Sequence, residues 1–267
     1  MTVAVAGWPA LAALGACAAF AFLTWIASVV RRDASIVDGV WSLMILAGAV
    51  AYAWAAGMTA ESPRALGSLG IACVWAARLS VHIIVRNHGR PEDRRYQAIR
   101  ARNQPHFEWK SLYLVFGLQA GLAWIVALPL MVAAAAPSPL SALDLIGAAL
   151  AIAGLVIEAL ADWQLAQFRS QGAGRVMDSG LWRYSRHPNY FGECCVWWGF
   201  WLIALAAGAG WTLISPLLMT VLLLKVSGVA LLEQDIAERR PGYAEYVRRT
   251  NAFFPGPRRP ASGDAPA

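Results

Sequence analysis

Ser179-Gly180-Leu181-Trp182-Arg183-Tyr184-Ser185-Arg186-His187-Pro188-Asn189-Tyr190-Phe191-Gly192-Glu193 sets a basic loop directly against an apolar run. Proline lacks the N–H that a first helical turn leaves unpaired, and it fixes a helix-compatible φ, so a helix is expected to open at Pro188. The free amides of that first turn and its positive dipole end then lie on the side of Arg183, Arg186 and His187. Together they make an anion-binding corner, suited to phosphates or a cofactor carboxylate. A basic interfacial anchor touching lipid head groups is the alternative reading of the same residues.

Outward from this boundary the chain is apolar. Of 267 residues, 58% are hydrophobic and 14% charged, with 13 Trp, which excludes an ordinary soluble domain. Runs of about 20 apolar residues, the length that crosses a bilayer, fall at 8–30, 36–56, 65–85, 111–135, 141–163, 190–207 and 211–232. The expected fold is therefore all-α: a polytopic membrane protein forming a seven-transmembrane-helix bundle. Of the 22 Lys and Arg residues, all but Arg64, Arg78 and Lys225 lie in 31–35, 86–110, 164–189 and 233–267. The positive-inside rule then puts the N-terminus outside and the C-terminus in the cytoplasm.

The net charge of +6 is accounted for by loops beside an anionic leaflet, so no nucleic acid is expected. The first cation, Arg31, follows the first apolar run, so that run reads as an anchor and not as a cleaved signal peptide. Cys17, Cys73, Cys194 and Cys195 lack metal-ligand spacing and read as small buried hydrophobes; neither metal nor disulfide is expected. Residues 1–256 read as a single integral membrane domain, followed by a disordered tail at 257–267. No internal repeat is visible, which disfavours a transporter.

Ionisable residues inside membrane spans are costly and mark function. Asp38, Arg78, His82, Glu158, Asp162, Glu193, Lys225 and Glu233 all fall towards the cytoplasmic ends of the expected helices, and only Asp144 lies towards the outer side, where it caps its helix. This placement describes a polar cavity opening inwards. Arg78 and His82 share a helix face, and each serves either as a structural partner of Asp38 or as a catalytic group. Glu158, Asp162 and Arg169 also share one side, fitting a ribose or amide with a phosphate beyond it. Lys225 either joins that site or snorkels. Near the C-terminus, Tyr243, Tyr246 and Arg249 fall on nearly one face, either to close over a planar ring and a phosphate or as an interfacial amphipathic helix.

The Gly180–Glu193 stretch, with the Tyr243…Tyr246…Arg249-Thr250-Asn251-Ala252-Phe253-Phe254-Pro255 segment, resembles the steroid 5α-reductase C-terminal domain family, and within it the uncharacterised bacterial members. The likeness spans roughly 30–256, with specific motifs in 158–256. The wider clan includes sterol reductases and isoprenylcysteine carboxyl methyltransferases. The resemblance implies NADPH held in the cytoplasmic half of the bundle, with Asp162, Arg169, Asn189 and Glu193 at positions of family cofactor contacts. It extends the contact set to Tyr184, Arg186, His187 and Tyr190. Glu158 stands where the steroid enzymes carry Asn, while Lys225 and Glu233 replace an Arg and a Tyr. Arg90, with Asn87, matches the family's Asn-Arg-Gly-Arg-Pro loop.

The steroid enzymes polarise the substrate ketone between a carboxylate on the second helix and a tyrosine on the third. Asp38 takes the place of the carboxylate here, but the tyrosine is missing from Val74-Trp75-Ala76-Ala77-Arg78, so Arg78 or His82 is expected to supply that contact. The expected activity is NADPH-dependent reduction of a carbon–carbon double bond conjugated to a carbonyl, in a steroid-like or other lipid substrate. An S-adenosylmethionine-dependent membrane methyltransferase is the alternative. The partners expected are a lipid-soluble substrate and membrane lipids, with no obligate protein partner, at a bacterial inner membrane.

Overall fold

In the computed structural model, which describes residues 5, 7–58, 62–172, 176–226 and 242–259, helices begin where the sequence supplies caps. Asp33 Oδ1 accepts from the Ser35 N–H (2.9 Å) just ahead of α2 (Ile36–Ala55), which follows α1 (Gly7–Arg31). Ser62 precedes Pro63 at the start of α3 (Pro63–Asn87), and Asp93 Oδ1 accepts from the Arg95 N–H (2.9 Å) to start α4 (Arg94–Arg102). The chain continues through α5 (Phe107–Ser111), a π-helical turn (Leu112–Gly117), α6 (Leu118–Val126), α7 (Leu128–Ala135) and α8 (Ala142–Ser170). A 3-10 turn (Gly180–Arg183) leads to α9 (Pro188–Ala206), then α10 (Ile214–Val221), the π-helical turn Leu222–Val226 and α11 (Tyr243–Arg249). No strand occurs among the described residues.

Among the described residues, five helical segments are long and apolar enough to cross a membrane: α1, α2, α3, Phe107–Val126 and α8. Their outward faces carry exposed Leu11, Phe22, Val74, Val81, Ile152 and Val156, a surface that water would not tolerate and lipid would cover. The expected span 111–135 is interrupted. Pro129 cannot donate a backbone hydrogen bond, and the helix breaks at Ala127 between α6 and α7. Gly210–Lys225 is a shorter apolar helix.

Contacts divide the chain into two units: residues 1–148 with 200–215, and residues 149–199 with 216–267. In the first, α2 packs on α1, α3, α6 and α7. The helices approach through small residues. A Cβ on Gly48 would lie 2.7 Å from Cys17 Sγ on α1, and one on Gly39 would lie 2.9 Å from Ile84 Cγ1 on α3. Hydroxyls bridge the same seam: Ser80 Oγ donates to the Gly39 carbonyl (2.6 Å) and Ser42 Oγ to that of Ala76 (3.0 Å). Close backbones joined by hydroxyl-to-carbonyl bonds are how helices associate where lipid removes the hydrophobic drive.

Arg64, in the first turn of α3, is buried, with Nε 2.7 Å and Nη2 3.0 Å from the two oxygens of Asp144, and it also donates to the Ser138 and Pro139 carbonyls. Asp144 caps α8 as expected, taking the Ser141 N–H at 2.8 Å, and gains a buried ion partner as well. Cys17 and Cys194 are buried, but Cys73 is exposed on α3, so the reading of all four cysteines as buried hydrophobes fails there.

In the second unit, α8 and α9 touch through glycines. A Cβ on Gly192 would sit 2.6 Å from both the Glu158 nitrogen and the Gly154 carbonyl oxygen, and one on Gly154 would sit 2.5 Å from the Gly192 carbonyl oxygen. Neither position has room for a side chain. The segment 242–259 folds against the 180–187 loop, and its order extends into the expected tail: Arg258 pairs with Asp178 at 2.7 Å and the Arg259 N–H donates to the Arg249 carbonyl.

Candidate functional site

The α8–α9 glycine crossing fixes what faces what. Glu158 and Asp162 stand one turn apart on α8, and Asn189 and Glu193 one turn apart on α9. α9 opens at Pro188, as the sequence reading expects. Asn189 Nδ2 donates to Asp162 Oδ1 at 3.1 Å, which joins the two helices. Glu158, Asp162 and Glu193 are all buried, and Glu193 Oε1 accepts from the Trp197 indole N–H at 2.9 Å. Asn189 Oδ1 is also buried and meets no donor among the described residues. A lone buried acceptor costs roughly 1–3 kcal/mol unless something supplies a proton to it. A ligand N–H or O–H would satisfy it.

The 180–187 loop is anchored on both sides. Gly180 has a positive φ of 59° and lies against Gln164, whose Oε1 accepts from the Leu181 N–H at 3.0 Å. Trp182 Nε1 donates to the Ala161 carbonyl at 3.0 Å. From the other side, Tyr246 Oη donates to the Trp182 carbonyl (2.6 Å), Ser185 Oγ to that of Phe253 (2.7 Å), and Arg186 Nη1 to those of Val247 and Thr250 (3.1 and 2.8 Å). Burial pushes the Tyr246 phenol above its usual range, consistent with a permanent donor. Arg186 and Tyr246 therefore brace the loop against α11. His187 is buried, its N–H donating to Ser185 Oγ (3.1 Å) and its ring stacked parallel to Tyr190 at 5.5 Å. Beside them lies an apolar groove of about 430 Å³ walled by Ile157, Leu181, Tyr184, Pro188, Phe191, Phe254 and Pro255.

The remaining sequence-derived residues of this unit lie further out. Arg169 is exposed at the end of α8, and Lys225 is exposed on the Leu222–Val226 turn. Tyr243 is buried with its ring 5.8 Å from that of Tyr246, and Arg249 Nε donates to the Arg259 carbonyl at 3.3 Å. Glu233 lies outside the described residues.

The first unit holds a second polar cluster. Asp38, in the first turn of α2, receives Arg95 Nη2 at 2.7 Å on Oδ2 and Tyr96 Oη at 2.6 Å on Oδ1. Its carboxylate is thus met from the short helix α4. Burial and the neighbouring Asp38 charge push the Tyr96 phenol above its usual range, so it stays protonated at neutral pH. Tyr96 is the residue that the sequence reading missed. Its signals are the Asp93 cap and its place as an aromatic side chain in the polar run Arg94-Arg95-Tyr96-Gln97-Ala98-Ile99-Arg100-Ala101-Arg102. Arg78 and His82 are half-buried on α3. Asn87 ends α3, its Oδ1 accepting from Arg86 Nε at 3.2 Å, and its carbonyl accepts from the N–H of exposed Arg90.

Among the described residues the protein is all-helical, with five helices long and apolar enough to cross a membrane, one buried polar cluster and one half-buried one. The chain belongs to the family described as Protein of unknown function (DUF1295), which matches residues 24–250. It is similar to Uncharacterized protein C594.04c of Schizosaccharomyces pombe, 24% identical over 86% of this chain and 75% of that protein. No solved structure matches.

Proposed function

We propose that this chain is an NADPH-dependent membrane oxidoreductase that reduces a carbon–carbon double bond conjugated to a carbonyl in a lipid substrate. The observation that carries the reading is the Glu158–Asp162–Asn189–Glu193 cluster with its unanswered Asn189 oxygen. Association of the family with steroid 5α-reductase-like proteins supports it. When bound, NADPH supplies a hydride to the β-carbon of the conjugated system. Asp162 holds the Asn189 amide so that Oδ1 is its open end, and that oxygen accepts from a carboxamide or ribose donor. Glu158 and Glu193 take further hydroxyl or amide protons, and Arg169 meets phosphate from the end of α8. In the first unit, Tyr96 gives its one phenolic proton to Asp38 and holds that carboxylate in place, which leaves Arg78 and His82 as the candidate donors to an oxygen.

In this reading α9 and Gly210–Lys225 complete seven spans, with the N-terminus outside and the cofactor entering from the cytoplasm of a bacterial inner membrane. A second reading, S-adenosylmethionine-dependent methyl transfer to a lipid, draws on the same buried carboxylates, which also suit a sulfonium and an ammonium. Anaerobic incubation of the purified protein with NADPH and a panel of conjugated lipid enones tests the first reading. Saturated product with stoichiometric NADPH oxidation supports it, and methylated product from S-adenosylmethionine instead contradicts it.

A further inference from the structure

At the C-terminal end of α1 the first unit encloses an open cavity of about 490 Å³ that the cofactor reading does not use. Its polar lining is Ser28, Arg32, Arg100, Gln104, Glu108 and Ser111. Arg100 is held rigidly. Its Nε and Nη2 grip both oxygens of Glu92 at 2.9 and 2.8 Å, its guanidinium lies 4.6 Å over the Phe107 ring, and Nη2 reaches the Arg32 carbonyl at 3.3 Å. Glu92 offsets that charge. One cation and one anion of the lining then remain without a hydrogen-bond partner among the described residues, the Arg32 guanidinium and the Glu108 carboxylate. Ser28 and Ser111 are buried and give their protons to the Trp25 and Glu108 carbonyls (2.8 and 2.7 Å), so each presents a lone pair and not a donor.

We infer that this cavity binds the headgroup of a zwitterionic, primary-amine phospholipid of the phosphatidylethanolamine type. The phosphate meets Arg32 and Arg100. The ammonium, with three protons to donate, meets Glu108 and the acceptors of Ser28 and Ser111. A quaternary choline offers none of those protons, and a glycerol headgroup offers hydroxyls but no cation to offset the Glu108 charge. Acyl chains are supplied with a path: Phe22, Ile26, Val30 and Trp109 are exposed, and the rings of Phe22, Trp25 and Trp109 form a continuous wall with centroids 5.4 Å apart. A lipid, and not a water-soluble zwitterion, matches this junction of charge and grease.

The test is thermal unfolding of delipidated full-length protein in detergent, titrated with phosphatidylethanolamine, phosphatidylcholine or phosphatidylglycerol of identical acyl chains. Phosphatidylethanolamine is expected to stabilise at about tenfold lower concentration than either of the others, the worth of one charge-assisted hydrogen bond. Glu108→Gln should abolish its advantage over phosphatidylcholine. Arg32→Asn, a residue that tolerates the left-handed backbone there (φ 54°), should weaken both. Equal response to the three lipids, or a preference that survives Glu108→Gln, overturns the site. Equal stabilisation by soluble phosphoethanolamine overturns its assignment to a lipid. None of these readouts involves NADPH, so the inference stands or falls apart from the proposed activity.

Discussion

Tyr96 Oη lies 2.6 Å from Asp38 Oδ1, and its neighbour Arg95 holds the other oxygen of the same carboxylate at 2.7 Å. The pair joins a membrane-boundary helix to a short polar helix that hydropathy cannot detect. The phenol gives its one proton to that carboxylate, so Tyr96 and Arg95 together fix both oxygens of Asp38.

Tyr96→Phe is the direct test of that role. The ring is kept and the buried packing with it, so the protein should fold and retain its response to NADPH while turnover falls by about tenfold, the worth of one hydrogen bond to a charged group. Steady-state kinetics with a reducible enone separates the outcomes. Unchanged kcat would show that turnover does not depend on Tyr96 holding Asp38.

Gly192→Ala should damage the α8–α9 crossing. Its methyl would lie 2.6 Å from backbone atoms of both Glu158 and Gly154, which cannot rotate away as a side chain can. Overpacking of this kind costs roughly 1–3 kcal/mol. The melting temperature should fall by several degrees, and any NADPH-induced stabilisation should fall with it. A variant as stable as the parent would contradict the tight crossing.

Arg186→Ala should release the segment 242–259 from the 180–187 loop, since Arg186 Nη1 carries two of the bonds between them. Limited proteolysis should then cut within 242–259 at least several-fold faster. Weaker NADPH binding without faster cleavage would return Arg186 to direct phosphate contact.

Acid should loosen the corner between Glu92 and Arg100. Burial raises the Glu92 carboxyl, but the Arg100 hydrogen bond and the Ala34 N–H outweigh it, and the group is held below its ordinary 4.5. A depressed carboxyl contributes stability that is fully present above the ordinary value and is lost as pH falls through the folded one. Thermal midpoints measured from about pH 6 down to about pH 3 should drop less steeply for Glu92→Gln than for the parent. Parallel curves would show that this corner does not govern acid sensitivity.

Much of the helical framework was legible because bilayer length and hydropathy are local properties. The expected 8–30, 36–56 and 65–85 closely match α1, α2 and α3, and the Pro188 start of α9 followed from proline's missing N–H. The break before Pro129 lay in plain sight, yet the apolar run carries straight across it. Pairings across distant segments were not legible. Nothing in spacing ties Asp38 to Tyr96, Arg64 to Asp144 or Asp162 to Asn189, because each partner is chosen by how helices cross. The glycines at 154 and 192 look ordinary in an apolar sequence until each is seen to leave room for the other's backbone. The quartet Glu158, Asp162, Asn189 and Glu193 was nominated by helical spacing and resemblance, while Arg186 and Tyr246 were nominated beside it and brace the loop against α11.

The central claim is that the α8–α9 cluster recognises NADPH, and a ligand that binds only the folded state raises its melting temperature by mass action. Thermal unfolding of the full-length protein in detergent should be titrated with NADPH and with S-adenosylmethionine, for the parent and for Asn189→Ala. The account predicts stabilisation by NADPH and none by S-adenosylmethionine, with Asn189→Ala as stable as the parent without ligand but about tenfold weaker for NADPH. Stabilisation by S-adenosylmethionine alone, or an NADPH response that Asn189→Ala leaves intact, would contradict it.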